Sequence, residues 1–370
     1  MQDILDAGDA LGPEKIVCLN ARTAGLRAIV TVDNTACGPA LGGVRMASDV
    51  TLGECLRLAR AMTLKNAAAG LAHGGGKAVI AADPRMPLAD KERLIRAFAC
   101  AMRDITDYIP GPDMGTDERC MAWVRDEIGR AAGLPPVLGG IPLDAIGTTG
   151  FGLVTAIEAA LPYCGLSLAG ARVAIQGFGA VGRHAARFLA AAGAVLVAAS
   201  DTTATLLDRG GIDVAALTRH KLAGGTLRDY PSGEKRDPDA VIDVPCDIWI
   251  PAARPDVLRA ENVGRLQAKL VAEGANIPAT AEAEAALHAR GVLVLPDFIA
   301  NAGGVISAAV EYRGGTEAAA FAAIGEKIKA NTQAVLEQAR EHAQQPRAAA
   351  MAMAQRRVEE AGGYRRWGRR

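Results

Sequence analysis

The hydrophobic pattern changes character several times along the chain. Residues 24–34, AGLRAIVTVDN, mix alternation with β-branched side chains and predict a strand; ACGPALGGVRM follows as a Gly/Pro-marked turn into more extended chain. From 51 to 69, TLGECLRLARAMTLKNAAA switches to helical spacing, with Cys55, Leu58, Ala59 and Met62 on one stripe and Arg57 and Arg60 off it. GLAHGGG then ends the helix, and KAVIAAD predicts another strand. A second helical stretch at 89–105 leads into a loop at Pro110, Gly111 and Pro112, with a further helix starting near Thr116.

GLPPVLGGIPLD (133–144) is the candidate linker, placing a domain boundary near 140. Beyond it, ARVAIQG, AVLVAASD, CDIWIPAA, AKLVAEGAN and GVLVLPD are short apolar runs that alternate with helical stretches, the texture of a buried parallel sheet. Residues 315–343 read as helix. The Ala- and Arg-rich stretch 341–370 reads as a solvated tail rather than a binding arm.

Composition narrows the partners. A chain of 370 residues, 50% hydrophobic, has material for two ordinary domains. Its 41 basic and 41 acidic residues cancel, so it offers no overall electrostatic footprint for nucleic acid or an anionic membrane, and a small molecule is the better partner. The seven cysteines show no CxxC or paired spacing and the five histidines no cluster, so neither a disulfide framework nor a metal site is expected. MQDILDAGDALGPEK has neither a basic n-region nor an apolar h-region, and no segment approaches a membrane span; a soluble, cytoplasmic protein is expected.

Chemistry enters with VAIQGFGAVG, where Gly177, Gly179 and Gly182 have GxGxxG spacing after a strand and opening a helix. Such glycines permit a tight turn and close approach of a pyrophosphate, whose charge the helix N-terminus favours; this is the signature of a Rossmann-type dinucleotide site. Asp201 ends the next strand and is placed to accept hydrogen bonds from the adenosine ribose, which favours NAD and leaves NADP open; a turn or helix-cap role is the alternative.

Three further residues stand out. Lys65 falls on the apolar stripe of its helix, where it either meets an anionic group such as a substrate carboxylate or snorkels past the core edge. Lys77 follows three glycines, but the phosphate-loop pattern GxxxxGK[ST] fails at Leu71 and Ala78, and its order of helix then strand is reversed. A lysine approached closely through glycines suits proton transfer instead, with Asp113 as a carboxylate partner or, alternatively, as a turn residue.

Together GPALGGVRM, RAMTLKNAAAGLAHGGGKAVI, PDMGTDERCMAW, TTGFG, VAIQGFGAVG, EGANIPAT and PDFIANAGGV, spread over residues 25–340, resemble the glutamate, leucine, phenylalanine and valine dehydrogenase family. The resemblance implies a two-domain α/β fold: an N-terminal α/β substrate-binding and oligomerisation domain (1–140), a Rossmann-type doubly wound nucleotide-binding domain (141–340) whose last helices can pack back on the first, and the tail at 341–370. It implies that Lys65 binds the substrate α-carboxylate beside Gly42 and Gly43, that Lys77 is the catalytic lysine and Asp113 its proton-shuttling partner. Thr149, Asn276 and Asn301 lie near the nicotinamide by the same carry-over, with Ala252 lining the cofactor's path. The implied reaction is NAD(P)-dependent, reversible deamination of an L-amino acid to a 2-oxo acid and ammonia, by a homo-oligomer.

Glutamate-specific members carry a lysine just before the glycine pair and a serine in the helix after NAGGV, where this sequence has Leu41 and Ala308. A buried carboxylate without a partner is costly, so Leu41, Val305 and Ala308, with room at Gly111, favour an apolar amino acid of the leucine, valine or phenylalanine type. PDMGTDERCMAW and SDTT lie closer to the glutamate-type members, which keeps glutamate as the alternative. A dinucleotide-binding sensor or scaffold without catalysis is the competing class, disfavoured by the presence of Lys65, Lys77 and Asp113 together.

Overall fold

A computed structural model describes residues 7–365. Its contacts divide the chain into two compact units: the chain up to Pro142 with Val305–Ala320 and the chain from Met351, and Leu143–Gly304 with Phe321–Ala350.

The first unit is built on β1 (Lys15–Ala21), β2 (Leu26–Asn34), β3 (Ala40–Ala47), α1 (Leu52–Ala68), β4 (Gly74–Ala81), α2 (Leu88–Ala101), β5 (Tyr108–Pro112) and α3 (Glu118–Ile128). Its sheet runs β1-β2-β4-β3-β5, antiparallel from β1 to β4 and parallel across β4, β3 and β5. Leu26, Ala28, Val30 and Val32 recur with period two and share a core with Ala78 and Ile80 of β4, Leu94, Ile95 and Phe98 of α2, and Met121 and Val124 of α3. Alternation puts Lys77 on the opposite face of β4 from Ala78. The helix α1 begins at an N-cap, Thr51, whose hydroxyl accepts from the Glu54 N–H at 3.2 Å.

The second unit contains α4 (Leu143–Ile146), α5 (Thr148–Cys164), β6 (Arg172–Gln176), α6 (Ala180–Ala191), β7 (Val195–Ser200), β8 (Thr205–Leu207), α7 (Val214–Leu222), β9 (Glu234–Arg236), β10 (Ile248–Pro251), β11 (Leu270–Ala272), α8 (Ala281–Ala289), β12 (Leu293–Leu295) and α9 (Asp297–Ala300). Its sheet runs β12-β11-β10-β6-β7-β8-β9; the first five strands are parallel, and β8 and β9 add an antiparallel edge. Trp249, fully buried, fills the core under β10 and donates its indole N–H to the Val241 carbonyl at 3.3 Å. The chain closes with α10 (Gly303–Tyr312), α11 (Glu317–Glu341) and α12 (Pro346–Gly363). No helix among the described residues is long and apolar enough to cross a membrane.

Residues 305–320 count with the first unit, because Glu311 of α10 is buried and its carboxylate accepts from the backbone N–H groups of Gly133, Leu134 and Ile141 at 2.7, 3.0 and 2.9 Å. The stretch read as a solvated tail folds as α12: Ala350, Ala354 and Val358 repeat every fourth residue and are buried with Ala349 and Met353. Arg357 then donates to the last carbonyls of α1, Ala67 and Ala68, at 3.1 and 2.6 Å, satisfying orphan acceptors where the helix end favours a cation. The remainder of that stretch, 366–370, lies outside the described residues, as do residues 1–6 of the N-terminal reading.

Candidate active site

In the first unit the glycine run belongs to β4, rather than to a loop that ends the helix. A Cβ on Gly74 would lie 1.9 Å from the Asn34 carbonyl oxygen, one on Gly75 would lie 2.0 Å from the Thr63 nitrogen of α1, and one on Gly76 would lie 2.9 Å from the Tyr108 ring. The three glycines therefore let a helix and two strands close on β4. The side chain of Asn66, beside the half-buried Lys65, completes this docking by donating to the carbonyls of Leu41 and Gly74 at 3.0 and 2.6 Å.

Lys77, 6% exposed, extends from this packed strand and its ammonium pairs with Asp113 Oδ2. Asp113 follows β5, which pairs Gly111 with Gly43 of β3. Its backbone N–H donates to Thr116 Oγ1 at 3.0 Å, and its Oδ1 accepts from the Met114 N–H at 2.7 Å. Gly43 is the near wall: a Cβ there would meet Asp113 Cβ at 2.7 Å and Lys77 Nζ at 3.2 Å. Gly42 is equally constrained, with the Gly76 carbonyl oxygen 1.7 Å from its missing Cβ. Burial works against a charge on Asp113, but Lys77, with Arg45 Nε at 3.4 Å, outweighs it and holds the carboxyl below its ordinary range.

The structure thus brings Lys77, Asp113, Gly42, Gly43 and Gly111 together and puts Lys65 on the helix docked against them. Leu41 is buried at 2% exposure, and Val305 and Ala308 stand one turn apart on α10. Two participants escaped the sequence reading. Arg45, which also donates to Glu54 at 2.6 Å, lies two residues from Gly43 and so on the same strand face. Tyr108, fully buried, directs its hydroxyl to the carbonyls of Gly42 and Gly43 at 2.9 and 3.1 Å, and only the fold shows why an aromatic opens β5.

In the second unit the three motif glycines divide the work. Gly177 has a φ of 97°, and a Cβ there would meet Ala253 N at 2.8 Å; Gly182 brings α6 within 2.1 Å of the Gly177 carbonyl oxygen, measured from its missing Cβ. Gly179, at the N-cap of α6, has no heavy atom within 4 Å of that position. The open space lies at the helix N-terminus, where a pyrophosphate fits, and Gln176 Oε1 beside the turn is buried without a hydrogen-bond partner.

The remaining cofactor candidates gather at the C-terminal ends of the parallel strands. The Ala252 N–H donates to the Gln176 carbonyl at 2.7 Å, and Gly274 and Ala275 donate to Pro251 at 2.9 and 2.8 Å. Asn301 Nδ2 donates to Asn276 Oδ1 at 3.0 Å, and a Cβ on Gly304 would lie 3.1 Å from Thr149 Oγ1.

Asp201 follows β7 and is engaged within its own unit. Its Oδ1 accepts from Thr203 N, Thr203 Oγ1 and Ala204 N at 2.8, 2.6 and 3.2 Å, and its Oδ2 from Lys221 Nζ and Leu227 N at 2.7 and 3.0 Å. Five donors therefore already address its two oxygens. Burial raises this carboxyl, but Lys221 and the surrounding donors hold it far below the usual range. Thr203 and Ala204 make the turn contacts, and Lys221 and Leu227 tie the carboxylate across the unit.

Residues 139–366 match the model of the Glutamate/Leucine/Phenylalanine/Valine dehydrogenase family, and residues 14–130 match the Glu/Leu/Phe/Val dehydrogenase dimerisation domain. A glutamate dehydrogenase of Aeropyrum pernix is 38% identical over 322 residues, covering 82% of this chain and 77% of that protein. An NADP-specific glutamate dehydrogenase of Saccharolobus shibatae is 38% identical over 293 residues, covering 75% and 69%. The hetero-hexameric glutamate dehydrogenase of Thermus thermophilus, solved in a Leu-bound form, superposes with a TM-score of 0.83 at 30% identity over 94% of this chain and 89% of that one. With both units matched in order, the chain belongs to the Glu/Leu/Phe/Val dehydrogenase family and is an NAD(P)-dependent amino acid dehydrogenase.

Proposed function

We propose that this dehydrogenase deaminates glutamate reversibly to the 2-oxo acid and ammonia, with Lys77 and Asp113 as its catalytic pair. The observation that carries the catalytic assignment is the buried Lys77–Asp113 ion pair beside Gly43; the two curated relatives, both glutamate dehydrogenases, support the substrate. Lys65 holds the α-carboxylate, with backbone at Gly42 and Gly43 beside it. Gly177, Gly179 and Gly182 hold the pyrophosphate of the cofactor, and Thr149, Ala252, Asn276 and Asn301 flank its nicotinamide end. When bound, the nicotinamide supplies the hydride acceptor for Cα.

Loss of hydride leaves an imine carbon on the substrate. Lys77, once its ion-pair proton has passed to Asp113, takes a proton from water as the water oxygen bonds to that carbon. Asp113 then gives its proton to the nitrogen, and the C–N bond breaks as the C=O bond forms; the hydroxyl proton leaves with the ammonia, and the pair returns to ammonium and carboxylate. Asp113 suits this exchange because Lys77 and Arg45 keep it anionic between transfers.

Substrate choice is open to direct measurement. Leu41 brings no cation to a side-chain carboxylate, so glutamate is expected to bind weakly, and Leu41→Lys to lower its KM by about tenfold or more. The check is kcat/KM from absorbance at 340 nm for glutamate, leucine, valine, phenylalanine and methionine. A higher value for an apolar substrate would give the place to the second reading, which Leu41 and Ala308 favour. The same panel run with both cofactors tests Asp201: because Lys221 neutralises it, NAD and NADP are expected to differ by about tenfold or less, about 1.4 kcal/mol. A homo-oligomeric assembly is also proposed, supported by the match of residues 14–130 to a dimerisation domain.

A further inference from the structure

The second unit buries a charge cluster that the reaction does not use. Arg347, in the first turn of α12, donates from Nη2 to Glu273 Oε2 at 2.6 Å, from Nε to both oxygens of Glu284 at 2.6 and 2.8 Å, and from Nη1 to Asp297 Oδ1 at 3.0 Å. The three carboxylate side chains are 0, 5 and 8% exposed. One guanidinium faces three buried carboxyl groups, so acidic groups outnumber the cation. Burial pushes the Glu273 carboxyl well above its ordinary range, and Glu273 Oε1 has no hydrogen-bond partner.

What the cluster holds is the cofactor edge. Glu273 begins the loop that carries Asn276, and its Oε2 accepts from the Asp297 N–H at 2.9 Å. Asp297 Oδ2 in turn accepts from the Ile277 N–H at 2.9 Å. Ile277 has a φ of 48°, a left-handed conformation that a β-branched residue adopts only under restraint, and the residue is 48% exposed. The Asp297 carbonyl accepts from the Asn301 N–H at 2.7 Å, and Asn301 reaches Asn276 through its side chain. Asn301 is thus tied to the Asp297 backbone, and the residue after Asn276 to the Asp297 carboxylate, with Arg347 bonded to both Asp297 and Glu273.

We infer that Arg347 is a positioning residue for catalysis: by clamping Glu273 and Asp297 it sets the strained Asn276–Ile277 turn and Asn301 in the geometry the nicotinamide end requires. This rests on the reading that those asparagines face the nicotinamide. It also gives the first turn of α12 a task in the active site, at the start of the stretch whose sequence looked like a solvated tail. A lysine at 347 has a single ammonium on a flexible stem and cannot reproduce the planar fork to three acceptors.

The test compares Arg347→Lys, Arg347→Met and Asn301→Ala by kcat and by the Kd of ADP-ribose, which lacks the nicotinamide. Displacing a positioned group by about 1 Å can cost about a hundredfold in rate. The expected result for Arg347→Met is a kcat lowered by about ten- to a hundredfold, with Arg347→Lys intermediate and ADP-ribose affinity within about twofold of wild type in both. Parallel loss of ADP-ribose binding in Arg347→Lys would mean general damage and overturn the inference. So would an unchanged kcat in Arg347→Lys and Arg347→Met while Asn301→Ala is impaired. Normal turnover in Asn301→Ala would remove the asparagine reading itself, and the inference with it.

Discussion

Replacing Lys77 by alanine is expected to lower kcat by about a thousandfold or more while the affinity for reduced cofactor stays within about twofold. Both halves follow from the fold. Lys77 is the side chain on β4 that reaches Asp113, so alanine removes the proton acceptor and leaves the carboxylate with Arg45 Nε at 3.4 Å. Arg45 cannot take over, since a guanidinium stays protonated at any working pH. The glycine turn and α6 belong to the other unit, so the nucleotide cradle is untouched by the change. Stopped turnover with an unaltered fluorescence titration of reduced cofactor is the expected pair of results; near-normal turnover would end the assignment of Lys77. Asp113 retains one cation and is 21% exposed at its side chain, so the melting temperature should fall far less than the rate.

What the sequence shows of this site depends on how local the cause is. The GxGxxG segment is legible because each glycine answers to a neighbour in the same strand–turn–helix: Gly182 meets the Gly177 carbonyl five residues back. Asp201 is only half legible for the opposite reason. Its Oδ2 accepts from Lys221 and Leu227, 20 and 26 residues on, and no spacing rule announces that encounter. Glu311 closes on backbone 170 to 178 residues away, a separation over which no spacing rule says that α10 packs with the first unit. Strands β8 and β9 span three residues each, too few for any period to register. In α12 the fourfold Ala/Val repeat was present in the sequence, but the arginines around it suggested solvent; Arg347 and Arg357 turn inward to carboxylates and carbonyls.

The glycines before Lys77 carry the second large effect, and it falls on folding. Gly75→Ala is expected to destabilise the protein by more than about 3 kcal/mol, at the upper end of what overpacking costs. The added methyl would stand 2.0 Å from the Thr63 nitrogen and 2.4 Å from its Cα, and the backbone of a packed helix cannot swing aside as a side-chain tip can. Separation of α1 from β4 would also break the Asn66 bonds to Leu41 and Gly74, so the loss propagates to β3. Gly179→Ala supplies the contrast, since nothing stands within 4 Å of its new methyl and its backbone φ of −87° suits any residue. That variant should melt like wild type yet bind cofactor more weakly, because the methyl enters the space left for the pyrophosphate. Thermal melts set beside cofactor titrations separate the two: a Gly75→Ala protein that melts like wild type but has lost substrate affinity would restore the reading in which those glycines clear a path to Lys77. Steric closure of the strand against its helix predicts instead that the damage appears before any ligand is added.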